Sequence, residues 1–509
     1  MKKITYIIAG FSALFCSCSI LDIEPASEWG GTSMPTEQSH IEAILNGGYQ
    51  RLCSALQSGF VYYGDARADV YYTNSTSAVT ADKIVRSNLE INLSQASWTN
   101  FYQVVKQANL NIYYIPRMVS EGTLDAANVN DLLGQSYCLR AMAYFWIVRI
   151  WGDAPLVTVP VFSANDDFDM PRSPVDDVFV QIHKDLDSAY VYLTDPASSK
   201  YQKSVTRFTR PASQALKAQV YMWQKEYALA LKELNDVIDK GGYSLEKLYD
   251  ASLEAADTDN FRNEIAKTGF SKMFNAEQSS GSTESIFELS FSTSDGDTNN
   301  AFDSFWTATT ATFMVREDFV NFLKENTADL RYYASVAKKG SNGKSRCKKL
   351  VMNYTRGDAR NIILMRLGDM LLLRAEARLG LVEGDALSQA QADEIMADIN
   401  AIMVRAAGPD AEMFYDKDGE GYKDWSKEEF VGLLKSERRK ELAFEGHRWF
   451  DLVRWGDVNN ALGVMEPAVD ATYVFDTGGF TIDERAIVWP IHINEIRRSK
   501  YIEQNEYYK

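Results

Sequence analysis

SKEEFVGLLKSERRKELAFEGHRWFDLVRWGD, residues 426–457, combines clear helix punctuation with an unusual density of charge and aromatic rings. Ser426 followed by Glu429 forms a capping box, and Phe430, Leu433 and Leu434 give an apolar edge at helical spacing, so a helix is predicted from Ser426 to Gly446. A second short amphipathic segment, His447 to Trp455, stops at Gly456, the residue type that takes a left-handed C-terminal position. Glu437, Glu441 and Glu445 fall four apart on one face, where like charges repel by about 0.2–0.5 kcal/mol per pair. Something basic must answer them, and Arg438, Arg439, Lys440, Arg448 and Arg454 are the nearest candidates. Two carboxylates can also hydrolyse a glycosidic bond when they sit about 5–5.5 Å or 6.5–9.5 Å apart. Spacing alone names neither acid nor nucleophile, and a structural network is the simpler reading.

The chain has 509 residues, which as a length alone suits about three domains or one large domain with insertions. Lys and Arg number 53 against 70 acidic residues, and the resulting net charge of −17 repels nucleic acid and other polyanions. Aromatics make up 12% of the chain, enough rings for exposed stacking surfaces as well as for the core. Lys2 and Lys3 precede an apolar run from Ile4 to Phe15. That run is shorter than the roughly 20 residues of a spanning helix, so residues 1–17 read as a secretion signal. Cys53, Cys138 and Cys347 lie beyond it, an odd set without CxxC spacing, which suits buried free thiols better than disulfides or a metal. His40, His183, His447 and His492 are scattered, which argues against zinc, and no phosphate-binding glycine loop or nucleophile elbow occurs. Asp416, Asp418, Glu420 and Gly421 follow the order of a calcium loop, but Lys427 stands where its last carboxylate belongs. The sequence points to no cofactor.

Helical periodicity recurs along the chain. It is present over Glu37–Leu56, over Ala96–Pro116 and over Asp131–Trp151, the last closed by Gly152. The ending YFWIVRIWGD (residues 144–153) echoes WFDLVRWGD (residues 449–457), a sign of repeated packing. In Ala212–Tyr243, Ala218, Tyr221, Tyr227, Ala230 and Leu234 fall where a tetratricopeptide repeat places them, and Ile362–Arg405 reads as a second such helix pair. Two less regular pairs are expected within residues 37–119 and 128–195. Residues 59–80, with four tyrosines and no sustained period, read as a long loop, the kind of segment that carries function. Periodicity fails again over residues 243–360, where SIFELSFS reads as a short strand and Phe302, Phe305 and Trp306 sit in polar surroundings.

Several stretches together resemble the RagB/SusD family of surface glycan-binding lipoproteins. They are ERRKELAFEGHRWFDLVRWGD (437–457), YFWIVRIWGDAPLV (144–157), MRLGDMLLLRAEARLG (365–380), PIHINEIRRSKYIEQNEYY (490–508), and the Leu21-Asp22 and Pro25 that follow Cys18. The resemblance implies a mainly α fold, a tetratricopeptide-like superhelix of about four helix pairs with an irregular, partly β insertion. It implies acylation of Cys18, although Phe15 departs from the Leu usual three positions before it. A tether over 18–36 and one domain over 37–509 follow. The scaffold would occupy mainly 37–242 and 360–456, the insertion about 243–360, and a loop-rich part 457–509. The implied role is binding of oligosaccharide at the cell surface, lipid-anchored to the outer membrane, and delivery to a TonB-dependent outer-membrane transporter, with no catalysis. A secreted glycosidase and a protein-binding helical adaptor are the rivals.

Loop context and the family's habit of binding on its insertions select two candidate ligand sets. One is Asp69, Tyr71, Tyr72, Arg86, Trp98 and Asn100, and the other is Asn299, Asn300, Phe302, Phe305 and Trp306. Trp98 and Trp306 are expected to converge on one exposed face and stack on the sugar. Burial in the core accounts for each ring equally well.

Overall fold

The computed structural model describes residues 34–509 except 74–77, 163–168, 195–203, 250–257, 278–279, 295–297, 308–310, 338–342, 352–358, 408–419, 470–473 and 477. The expected signal, Cys18, most of the tether and the first four residues of the calcium-like loop, 416–419, therefore lie outside the described residues.

Ten helices carry the architecture: α1 (Gln38–Gly64), α2 (Thr99–Ser120), α3 (Ala126–Trp151), α4 (Val175–Tyr192), α5 (Arg210–Trp223), α6 (Tyr227–Lys240), α7 (Leu367–Leu381), α8 (Gln389–Ala407), α9 (Lys427–Glu441) and α10 (Arg448–Trp455). Their starts are set by local chemistry. Asp125 caps α3, Thr209 caps α5 with Pro211 in the first turn, and Ser426 and Glu429 form both halves of the capping box that opens α9. Consecutive helices pack as neighbours, giving the pairs α1/α2, α3/α4, α5/α6 and α7/α8. The fold is mainly α and tetratricopeptide-like. α3 is buried on almost every side, which explains its run of Tyr144, Phe145, Trp146, Ile147 and Val148.

The echoing segments meet in space. Trp146 and Phe450 pack edge to face at 5.4 Å, and the Arg149 guanidinium lies 4.3 Å from the Phe450 ring. Both helices end on glycines with positive φ, Gly152 at 77° and Gly456 at 73°. At the other side of α10, α1 and the 446–448 turn touch backbone to backbone: a Cβ on Gly64 would sit 2.1 Å from the Gly446 carbonyl oxygen.

Strands are short and antiparallel: β1 (Tyr71–Thr73) pairs with β3 (Phe313–Val315), β2 (Ser285–Leu289) with β4 (Ile362–Arg366), and β5 (Ala468–Val469) with β6 (Val474–Asp476). SIFEL thus forms the expected strand. Its partner Ile362–Arg366, read from sequence as the start of a helix pair, is a buried strand leading into α7, because the short apolar run Ile362–Met365 suits both periods. Two further boundaries differ from expectation. α1 continues through Phe60–Tyr63, whose side chains are all buried, so the first part of the expected 59–80 loop is helix and core. α9 ends at Glu441, and Phe444 and Gly446, both with positive φ, make the turn into α10.

The aperiodic 243–360 stretch also holds several short helices, among them Asp259–Ile265, Glu317–Lys324 and Arg331–Ser335. Among the described residues no helix is long and apolar enough to cross a membrane. Cys53, Cys138 and Cys347 are buried, and burial pushes the Cys138 and Cys347 thiols up to about 12.

Candidate functional site

α9 has two faces with different tasks. The first carries the glutamate stripe. Arg331 donates to Glu437 at 2.7 Å, Arg366 bonds Glu441 at 2.7 Å and reaches Glu445 at 2.6 Å, Arg405 also bonds Glu441, and Lys349 bonds Glu445. All of these side chains are nearly inaccessible. Burial alone would raise Glu441 and Glu445; the surrounding Arg405, Arg366, Arg331 and Lys349 more than offset it and hold both carboxyls below the usual range. Stripe and cations form a structural network between β4, α8, α9 and the Arg331–Ser335 helix.

The cations differ from those nearest in sequence. Lys440 alone of those reaches the stripe, at 3.4 Å from Glu437. Arg438 pairs with Asp451 at 2.9 Å and Asp369 at 3.0 Å, and Arg454 with Glu376 at 2.8 Å. Arg439 and Arg448 both hold Asp69 at 2.8 Å. The reason is angular: adjacent residues on a helix point about 100° apart, so Arg438 and Arg439 cannot face the same way as Glu437 and Glu441.

The second face of α9 opens onto a groove of about 400 Å³. Lys435, Ser436 and Arg439 form one wall, and Arg448, Leu452 and Trp455, spaced i, i+4, i+7 along α10, form the next. Phe322 and Asp318 come from the Glu317–Lys324 helix, Asp69 from the turn after α1, and Asp457, Asn460, Ala461, Val464 and Met465 close the far side. Trp455 and Phe322 are half-buried and Val464 is 79% exposed. The Trp455 indole N–H donates to Glu376 at 3.1 Å, which fixes the ring. The Arg439 guanidinium lies 4.5 Å from the Phe322 ring, and the Lys435 ammonium lies 5.2 Å from Trp455 while pairing with Asp457. Burial would raise Asp69, but Arg448 and Arg439 outweigh it and keep its carboxyl at about 2. Held rings beside paired guanidinium and carboxylate groups can cover the apolar face of a ligand and bond its hydroxyls.

Of the residues expected to bind ligand, Asp69 lines this groove. The rings do not, and this corrects the expectation. Trp98 is 4% exposed, packed on Tyr102 and Trp151, and Trp306 is 0% exposed among Tyr71, Phe302 and Phe305. Phe302 and Phe305 are themselves buried against Phe60 and Tyr62 of α1, Tyr71 packs on Phe444, and Tyr72 is buried with Ala311 and Met314. The insertion uses its rings to pack onto α1, since removing such large apolar surfaces from water outweighs keeping them exposed. Asn299 is buried and donates to the Arg360 carbonyl at 3.2 Å, Arg86 forks onto Asp82 at 3.1 Å, and Asn100 is exposed in the first turn of α2. The Asn300 side chain lies outside the described residues. Trp455, Phe322, Arg439, Arg448, Lys435 and Asn460 line the groove but were not among the expected ligand residues; the i, i+4, i+7 spacing of Arg448, Leu452 and Trp455 was a signal for the α10 wall alone. Among the described residues no cluster of His, Cys, Asp or Glu could hold a metal ion.

A sequence model of the SusD family matches residues 324–508, and one described as starch-binding associating with outer membrane matches residues 21–222. A SusD-like protein of Formosa agariphila is 29% identical over 99% of this chain and 99% of its own length. Among solved structures, a SusD superfamily protein of Bacteroides thetaiotaomicron superposes with a TM-score of 0.70 at 21% identity, covering 94% of this chain and all of that one. A laminarin-binding SusD-like protein does so at 0.68 and 19% identity, covering 93% of this chain. The helix pairs, the shared signature stretches and both sequence matches agree, and the chain belongs to the SusD-like family.

Proposed function

We propose that this protein binds oligosaccharide in the groove between α9 and α10 and delivers it to a TonB-dependent transporter in the outer membrane, held at the cell surface by acyl chains on Cys18. The observation that carries the reading is the groove itself, where Trp455 and Phe322 stand beside guanidinium and carboxylate groups. Its volume of about 400 Å³ falls within the range of small-molecule sites. The family description, starch-binding associating with outer membrane, supports glycan as the ligand class and the outer membrane as the location. The laminarin-binding neighbour supports the same class. No proton transfer is needed for this role, and Glu441 and Glu445, which could have served hydrolysis, are held ionised by the surrounding arginines and Lys349.

The test is calorimetry of the purified chain against a panel of oligosaccharides, with the products examined by chromatography. Binding without shortening of the glycan is expected. Truncating a central aromatic anchor costs about 2 kcal/mol or more, roughly thirtyfold in affinity, so Trp455→Ala should weaken binding by that order while circular dichroism stays unchanged. Cleavage of the glycan would replace this reading with a glycosidase.

A further inference from the structure

We infer that the groove selects uncharged saccharide and rejects acidic glycans, an inference that rests on the proposed function and names its ligand class. The charges lining the groove cancel. Lys435, Arg439 and Arg448 equal Asp69, Asp318 and Asp457 in number, and each of the three cations has a carboxylate partner within the lining. Arg448 and Arg439 each lie 2.8 Å from Asp69, Lys435 is paired with Asp457, and Asp318 lies 3.3 Å from Arg316.

A uronate or sulfate entering the groove would have to draw a cation away from its carboxylate. Asp69 cannot yield: it is 4% exposed, comes from the turn that joins α1 to β1, and is clasped from both α9 and α10. A sugar hydroxyl makes no such demand. A paired carboxylate keeps free lone pairs and a paired guanidinium keeps spare N–H groups, so both can bond hydroxyls without breaking the ion pair. The apolar side of a neutral ring then has Trp455 and Phe322 to cover it. The surrounding field acts the same way, since a net charge of −17 repels a polyanionic chain before contact.

The experiment measures binding of neutral oligosaccharides (α-glucan, β-glucan, mannan, xylan) and acidic ones (polygalacturonate, alginate) at low and high NaCl. Asn460→Trp is the site probe, because Asn460 is exposed at the groove's edge and a large side chain there fills the groove without disturbing the core. The inference expects binding of a neutral glycan only, with an affinity nearly independent of salt and lost at least tenfold in Asn460→Trp, since screening acts on net charge. An acidic glycan that binds overturns the inference, most directly if its affinity falls with salt. A neutral glycan that binds equally well to Asn460→Trp also overturns it, placing the site elsewhere while leaving the proposed function standing. If no glycan binds, the proposed function fails and this inference falls with it.

Discussion

Two aspartates four residues apart on the same turn have opposite fates. Asp65 ends α1 and accepts the Gly446 N–H at 2.8 Å and the Arg448 N–H at 3.2 Å, yet burial outweighs these bonds and pushes its carboxyl up to about 7. Asp69, equally buried, has two arginines and stays at about 2. The signs follow by linkage. Asp65 has a folded value above its unfolded one, so its contribution to stability is favourable at low pH and declines as pH rises from about 4 to about 7. Asp69 has a depressed folded value, so its contribution is present above about 4 and is lost as pH falls toward 2. Asp65→Asn should therefore gain stability relative to wild type as pH goes from about 5 to about 8, by an amount of order a few kcal/mol. Chemical denaturation of both proteins across that range checks this, and parallel pH profiles would contradict it. At this scale little of the site was legible. A Trp in a polar stretch reads the same whether it faces a sugar or seeds a local core, and Trp98 and Trp306 do the second.

At the scale of the helix, the stripe of Glu437, Glu441 and Glu445 ties α9 to β4, α8 and the Arg331–Ser335 helix. Removing one partner from such a buried network costs about 3–5 kcal/mol, because the remaining charges are left uncompensated. Glu441→Gln leaves Arg366 and Arg405 short of one partner and should lower the Tm in calorimetry, while affinity for glycan per folded molecule is unchanged, since Lys435 and Arg439 lie about 200° round the helix from Glu437 and Glu441. A variant with wild-type Tm would show that the stripe is solvated and not structural. The capping box, the Gly456 stop and the structural role of the stripe were all legible, because each depends on neighbours within a turn or two. The partners were not: Arg331, Arg366, Arg405 and Lys349 lie between 36 and 106 residues away from the glutamates they hold.

For the whole molecule, the Ala212–Tyr243 pair was readable because it repeats a short pattern, with Ala218, Ala230 and Leu234 all buried, whereas the two pairs within residues 37–119 and 128–195 are less regular and the count of four rested on the family resemblance. The groove was not readable, because Asp69, Phe322, Arg439, Trp455 and Asn460 come from four separate parts of the chain and no local pattern links them. Beyond the fold, the proposed anchor makes its own prediction. Each buried CH₂ of an acyl chain contributes about 0.8 kcal/mol, so Cys18→Ala should move the protein from the membrane fraction to the soluble one and abolish labelling by a lipid precursor. Unchanged fractionation and labelling would remove Cys18 as the attachment point. The central claim is that the groove between α9 and α10 holds the glycan, and a crystal structure with the tightest-binding oligosaccharide tests it most directly. The account predicts sugar density against Trp455 and Phe322, within hydrogen-bond reach of Arg439, Arg448 or Asn460; sugar bound on another face, with the groove empty, would contradict it.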